Sequence, residues 1–163
     1  MKKFHKIASI ALALVMASMC FTACGDTAKE GESGSGTIKI GGIGPLTGST
    51  QIYGNAVKNG AEIAVDEINA KGGLQFELKF EDDENDPEKA TNAYNTLKDW
   101  GMQISLGAVT TQPCIAVSSL TNEDHMFALT PSGSSTDIIG GQPDADGNVT
   151  IPRKDNMFQM CFT

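Results

Sequence analysis

The chain has 163 residues, with 20 acidic side chains against 12 basic ones and a formal net charge of −8. That balance, with no basic patch beyond the extreme N-terminus, excludes a nucleic-acid partner and electrostatic attraction to anionic lipid surfaces. No internal repeat is present in the sequence.

The first element is an export signal. Met1 to Lys6 is short and basic, Ile7 to Cys20 is almost unbroken apolar sequence, and Phe21-Thr-Ala-Cys24 closes it with small residues and a thiol. The apolar run is too short for a permanent membrane span and leads directly into polar sequence, so it is expected to be removed. The Phe21-Thr-Ala-Cys24 segment resembles a bacterial lipobox, with Phe21 where leucine is usual. The resemblance implies a signal peptide over residues 1–23 and a lipidated Cys24 as the new N-terminus. An ordinary cleavage site after Ala23 beside an incidental cysteine is the alternative. Cleavage removes Lys2, Lys3 and Lys6 and no acid, so the remaining chain is more acidic still. Residues 24–36 are polar and glycine-rich and read as a flexible leash.

Folded sequence starts at about Thr37. Thr37 to Ile43 is a short strand ended by Gly44-Pro45-Leu-Thr-Gly48. From about Tyr53 to Lys71, Val57, Ala61, Ala64, Val65 and Ile68 recur at helical spacing, and Gly72-Gly73 stops the helix. Phe76, Leu78 and Phe80 alternate with Glu77 and Lys79, as in a strand with two unlike faces. Asp86-Pro87-Glu88 supplies an N-cap, a first-turn proline and a first-turn acid, and Ala90, Ala93, Leu97 and Trp100 mark the buried stripe that follows. Ile104 to Gly107 is a third strand, Pro113 to Asn122 a third helix, and Met126 to Leu129 a fourth strand. Gly140 to Lys154 is a polar loop with a turn at Asp146-Gly147, and Met157 to Phe162 is a further apolar strand. Strands separated by helices of this length require crossovers. The expectation is an α/β fold with an open, doubly wound, mostly parallel sheet in three αβα layers, one domain over residues 37–163. Cys114 and Cys161 are the thiols of this domain, and a disulfide and two separate thiols are both compatible with the sequence.

In an open parallel sheet, ligands bind beyond the carboxyl ends of the strands. Three of those junctions are rich in hydroxyls: Pro45 to Gly54, Gly107 to Pro113, and Thr130 to Thr136. Hydroxyls and unpaired N–H groups at helix starts suit a carboxylate and do no chemistry on it. Helix capping alone is the competing explanation for any single one of them.

The runs Ile38 to Gly48, Tyr53-Gly54 with Asn59 to Ala64, Ile68 to Gly73, and Asp82-Asp83 with Asp86-Pro87 closely resemble the first lobe of the leucine/isoleucine/valine-binding proteins. These are extracytoplasmic solute-binding proteins of bacterial ABC importers, with the periplasmic-binding-protein type I fold. The resemblance covers about Thr37 to Thr136. It implies that the Thr111 hydroxyl holds a ligand carboxylate, that the Ser132 carbonyl and the Ser134 hydroxyl and N–H take both ends of an amino-acid zwitterion, and that Tyr53 packs on the ligand. Its implied partners are a small-molecule amino acid and an ABC importer permease, with the membrane reached through the lipid anchor only and no cofactor. Asn85 and Thr110 occupy positions where some members carry paired cysteines, so that disulfide is absent. The family has a second lobe, and the last strand has no successor here. The sequence therefore reads as an N-terminal lobe ending in or near the crossover to that second lobe.

Other classes fit less well. Gly42-Ile-Gly44 with Gly48 is mis-spaced for a dinucleotide loop, and Pro45 removes a donor from it. His125 stands alone beside Asp124, at the opposite edge from the hydroxyls, and neither a nucleophile elbow nor a metal-ligand spacing occurs, so no enzyme and no metal site is expected. Asp144 to Asn148 lacks the later acidic ligand of a calcium loop, and the acid run Glu81 to Asp86 reads as a solvated loop and helix cap. A sensor domain of the same fold is the alternative within the binding class. If Cys24 carries the anchor, Cys24→Ala shifts the protein from the membrane to the soluble extracytoplasmic fraction, measured by fractionation; unchanged partitioning overturns the lipobox reading.

Overall fold

The structure is a computed structural model that describes residues 36–161. The expected signal, Cys24 and nearly all of the leash lie outside the described residues. The elements are β1 (Ile38–Gly44), α1 (Gln51–Ala70), β2 (Phe76–Asp82), α2 (Pro87–Asp99), β3 (Ile104–Ala108), α3 (Thr111–Glu123), β4 (Ala128–Thr130), a 3-10 turn (Thr136–Ile138) and β5 (Met157–Gln159). The strands form one sheet in the order β2-β1-β3-β4-β5, every neighbouring pair parallel. This is the expected α/β architecture, with helices flanking a parallel sheet.

Boundaries differ from the sequence reading by one to three residues, for local reasons. The α3 helix starts at Thr111 rather than Pro113 because a proline in the first turn lacks only an N–H that has no partner there anyway. The β4 strand starts at Ala128 rather than Met126 because the Met126 N–H still donates to Thr121 O (2.9 Å), closing the end of α3. The Asp86 cap of α2 forms as expected, its Oδ1 accepting from Glu88 N (2.8 Å) and Lys89 N (2.9 Å).

The crossovers between parallel strands place helices on both faces of the sheet. The α1 helix packs on β1 and β2, whereas α2 and α3 pack on each other and on the opposite face. The core lies on that second face: Ile43, Tyr94, Leu97, Val117, Ile138 and Met157 are fully buried. Burying a side chain of this size contributes about 1.5–3 kcal/mol. Tyr94 also donates through its hydroxyl to Asp124 Oδ2 (2.9 Å), which Lys98 Nζ pairs at 2.6 Å. Burial, and then Asp124 itself, raise the Tyr94 pKa.

The α1 face is thinner. The stripe expected from Val57 to Ile68 does turn toward the sheet, but Gly54 is the one fully buried residue of this helix. A Cβ at Gly54 would lie 2.0 Å from Pro45 O, so only glycine lets α1 dock on the preceding loop. Farther along, Ala61, Val65 and Ile68 line a shallow apolar groove with Ile40, Leu78 and Leu106. Over the far strands Phe127 (48% exposed) and Phe158 (45%) stand open, their ring centroids 5.2 Å apart.

The crossover from β4 to β5 contains the 3-10 turn and a long loop instead of an α-helix. It is held by Lys154, 7% exposed, whose Nζ donates to Ser118 Oγ (2.8 Å), Asp137 O (3.0 Å) and Ile138 O (3.2 Å). Asn156 Nδ2 adds bonds to Thr121 O (2.9 Å) and Met126 O (2.7 Å). The expected turn at Asp146-Gly147 is present, with Gly147 at φ +84° and its N–H bonded to Asp144 O (3.0 Å). Cys114 and Cys161 are both free thiols, the first fully buried.

The unequal layers have a measurable consequence. Leu97→Ala should cost roughly 2–5 kcal/mol, and Ile68→Ala, at a residue 43% exposed, well under that range. Urea denaturation of both variants checks this, and equal losses would overturn the assignment of the core to the α2/α3 face.

Candidate functional site

The winding of the chain reverses between β1 and β3, which are neighbours in the sheet although α1, β2 and α2 intervene in sequence. The loops leaving their carboxyl ends diverge, and a crevice opens between them. A cleft of about 360 Å³ lies there, lined by Thr50, Tyr53, Asn85, Val109, Thr110, Thr111 and Ser132.

Each wall is built by a strand junction. After β1, Pro45 to Thr50 turns into α1, and Tyr53, 61% exposed, stands in its first turn. This loop is fastened to the end of β2 by Asp82, which accepts from Leu46 N (2.8 Å), Thr47 Oγ1 (2.6 Å) and Glu84 N (2.9 Å). Burial alone would push the Asp82 carboxyl up, but the hydrogen bond from Thr47 and those from backbone N–H groups outweigh it and hold the pKa below the usual value. After β3, Val109 donates its N–H to Ile43 O (3.1 Å), and Thr110 leads into α3. After β4, Thr130 Oγ1 donates to Ala108 O (2.9 Å) and accepts from Gly133 N (3.0 Å), while Ser132 Oγ donates to Val109 O (2.6 Å). The third and fourth junctions are therefore one hydrogen-bonded unit.

Of the four residues singled out from the sequence, Tyr53, Thr111 and Ser132 line this cleft. Ser134 adjoins it, its N–H donating to Thr111 Oγ1 (3.3 Å). The hydroxyl proton of Ser132 is committed to Val109 O, so toward a ligand this residue offers acceptors, its carbonyl among them. At the start of α3 the Thr110 side chain makes no cap bond, and Pro113 carries no N–H. The N–H groups of Thr111 and Gln112 are thus the first-turn donors, and the helix dipole favours an anion beside them.

Sequence reasoning missed the lining roles of Thr50, Asn85 and Thr110, and the part Asp82 plays. Thr50 and Thr110 fall within the hydroxyl-rich junctions, and Asp82 within the Asp82-Asp83 pair of the family resemblance, but those runs do not single out these side chains, and Asn85 stands in the sequence reading only as a place without a cysteine. The usable signal was the pair Glu84-Asn85, which adopts φ +48° and +63°, a conformation that asparagine tolerates and that turns the chain over the cleft. His125 lies away from this edge, exposed and at φ +53° in the turn between α3 and β4. Among the described residues no group of three or more metal-ligating side chains comes together.

Behind the wall stands Asp83, fully buried. Its Oδ1 accepts from Asn85 N (2.8 Å), and its Oδ2 has no partner. Burial, reinforced by the charges of Asp82 and Asp86 and opposed by the Asn85 N–H, pushes its pKa from 3.8 up to about 6.

Residues 37–160 match the periplasmic binding protein family, and the chain belongs to that family. It is similar to the Leu/Ile/Val-binding protein BraC3 of Rhizobium johnstonii, at 40% identity over 104 residues that make up 62% of this chain and 28% of the relative. It is likewise similar to the Leu/Ile/Val-binding protein homolog 3 of Brucella melitensis, at 35% identity over 127 residues, 76% of this chain and 32% of the relative. Among solved structures, the branched-chain amino acid transporter substrate-binding protein LivJ of Streptococcus pneumoniae in complex with isoleucine superposes with a TM-score of 0.67. It shares 26% identity, over 78% of this chain and 34% of that one. The leucine-binding protein LivK of Thermotoga maritima has the same fold, with a TM-score of 0.64 at 22% identity over 77% of this chain and 33% of that one. These relatives are binding proteins and not enzymes, and the chain spans about a third of their length.

The raised pKa of Asp83 makes a signed prediction. The folded state holds this proton more tightly than the unfolded state, so the stabilisation is full below about pH 4 and is lost as pH rises through about 6. Asp83→Asn removes that loss while keeping an acceptor for Asn85 N. Between pH 4 and 7 the wild type should lose roughly 1–3 kcal/mol relative to the variant. Parallel urea titrations check it, and a constant difference across this range would show that Asp83 is ionised throughout.

Proposed function

We propose that residues 37–163 are the N-terminal lobe of an extracytoplasmic solute-binding protein that captures an amino acid and delivers it to an ABC importer. Residues 1–23 serve as its signal peptide, and residues 24–36 form a leash from a lipidated Cys24 at the membrane surface. The observation that carries the reading is the meeting of Tyr53, Thr111 and Ser132, with Ser134 beside them, at the carboxyl edge of the sheet in a chain of this family. The names of the relatives, Leu/Ile/Val-binding proteins, support an amino acid as the ligand.

The chemistry is recognition without reaction. The α-carboxylate sits at the start of α3, taking hydrogen bonds from Thr111 Oγ1 and the first-turn N–H groups, where the helix dipole adds to them. The ammonium donates to the Ser132 carbonyl and the Ser134 hydroxyl, and Tyr53 covers one side of the ligand. Such an open lobe leaves these bonds in competition with water, which limits their net worth. A second lobe closing over the cleft would exclude that water and add contacts of its own.

Calorimetric titration of the chain with aliphatic and small polar amino acids should therefore give dissociation constants on the order of millimolar at best, about 4 kcal/mol. Thr111→Val should weaken binding several-fold. Absence of binding by every amino acid at tens of millimolar would overturn the proposal.

A further inference from the structure

Ser134 rides on a loop with little backbone support. Among the described residues, none of residues 131–134 takes part in a backbone-to-backbone hydrogen bond, so side chains must hold this stretch between β4 and the 3-10 turn. Toward β3 it is held by Ser132 Oγ, which donates to Val109 O (2.6 Å), and by Thr130 Oγ1, which accepts from Gly133 N (3.0 Å). The remaining holder comes from the other side. Gln159 is the last residue of β5 and the register partner of Thr130. Its Nε2 donates to Gly133 O (2.5 Å) and, at longer range, to Ser135 O (3.4 Å), the two carbonyls that flank Ser134.

Between those two carbonyls the Ser134 N–H donates to Thr111 Oγ1 (3.3 Å). A threonine hydroxyl has one proton to give and two positions that accept, whereas an ionised carboxylate only accepts. With the Ser134 N–H filling an accepting position, the Thr111 hydroxyl keeps its proton for a carboxylate. Gln159 itself is not among the residues that line the cleft. Its Oε1 is buried with no partner, a cost that an apolar side chain of similar size would avoid. What the amide contributes here is therefore its two donor protons.

We propose that Gln159 is a positioning residue of the ligand site: by tying the carbonyls of Gly133 and Ser135 to the end of β5, it holds the Ser134 N–H against Thr111 Oγ1 and keeps the Thr111 hydroxyl turned as a donor toward the ligand carboxylate. The inference rests on the reading of the cleft as an amino-acid site. Because it concerns the carboxylate, which every amino acid carries, the effect of Gln159 is the same whatever the ligand side chain.

The test combines backbone amide NMR of the full chain with a double-mutant cycle. In the unliganded protein Gln159→Met, close in size and without donors, should move the Ser134 amide resonance and speed its exchange with solvent. Titration with serine, alanine, valine and leucine should then show binding about threefold to fivefold weaker than in the wild type, by the same factor for each. In a Thr111→Val background the same substitution should cost less than about 1.5-fold, because the hydroxyl through which it acts is gone. Gln159→Glu, which keeps the shape and exchanges the donor for an acceptor, should give the same pattern if methionine disturbs folding. Wild-type affinity in a folded variant, or a Ser134 amide that does not respond, overturns the inference and leaves the amino-acid reading standing. A full loss repeated in the Thr111→Val background overturns it too, because Gln159 then acts on the protein generally and not through Thr111. No binding of any of these amino acids by the wild type removes the amino-acid reading and the inference together.

Discussion

A right-handed crossover from β1 to β2 and another from β2 past β1 to β3 must lie on opposite faces of the sheet, because the second travels in the reverse direction. Nearly everything at the cleft descends from that reversal. It sends the β1 junction toward α1 on one face and the β3 junction toward α3 on the other, so the two loops part at the carboxyl edge and the space between them stays open. The β4 junction then closes one side by hydrogen bonding back through Thr130 and Ser132 onto Ala108 and Val109. A binding surface thus arises where no helix had to be removed and no strand broken.

Two adjacent carboxylates at the end of β2 play opposite parts around this opening. Asp82 gathers three donors and fixes the β1 loop to the β2 junction, and its hydrogen bonds favour the charged form. Asp83, the next residue, receives one N–H and is penalised for its charge by complete burial. Where β2 ends, two residues adjacent in sequence thus come to lie in different media. One carboxylate organises the loop that carries Tyr53, and the other props the Glu84-Asn85 turn that carries the amide over the cleft.

The alternation of strands and helices was legible because periodicity and punctuation agreed: Asp86-Pro87 did cap α2, and Gly72-Gly73 did follow α1. The edge on which Tyr53, Thr111, Ser132 and Ser134 meet was legible for a topological reason, since the ends of parallel strands all point one way. What sequence pattern did not carry was depth. The stripe of α1 had the right period and yet stays half-open, because burial depends on what packs above a helix and not on the helix alone. The lining by Thr50, Asn85 and Thr110 was hidden for a related reason. Each is an ordinary loop or capping type by composition, and only the three-dimensional arrangement reveals that none of them caps anything.

The fastening of β5 differs in kind from the surface ion pairs around it. Lys98 and Asp124 hold α2 to the end of α3 through opposite charges near solvent, an attraction that mobile ions weaken within a Debye length of roughly 8–10 Å at ordinary ionic strength. Lys154 is solvated instead by a hydroxyl and two carbonyl dipoles inside the fold, with no carboxylate among its hydrogen-bond partners. Counter-ions have little there to screen. The fastening by Lys154 is accordingly less open to screening than the outer helix contacts, and one small domain carries two kinds of adhesion with different sensitivity to its surroundings.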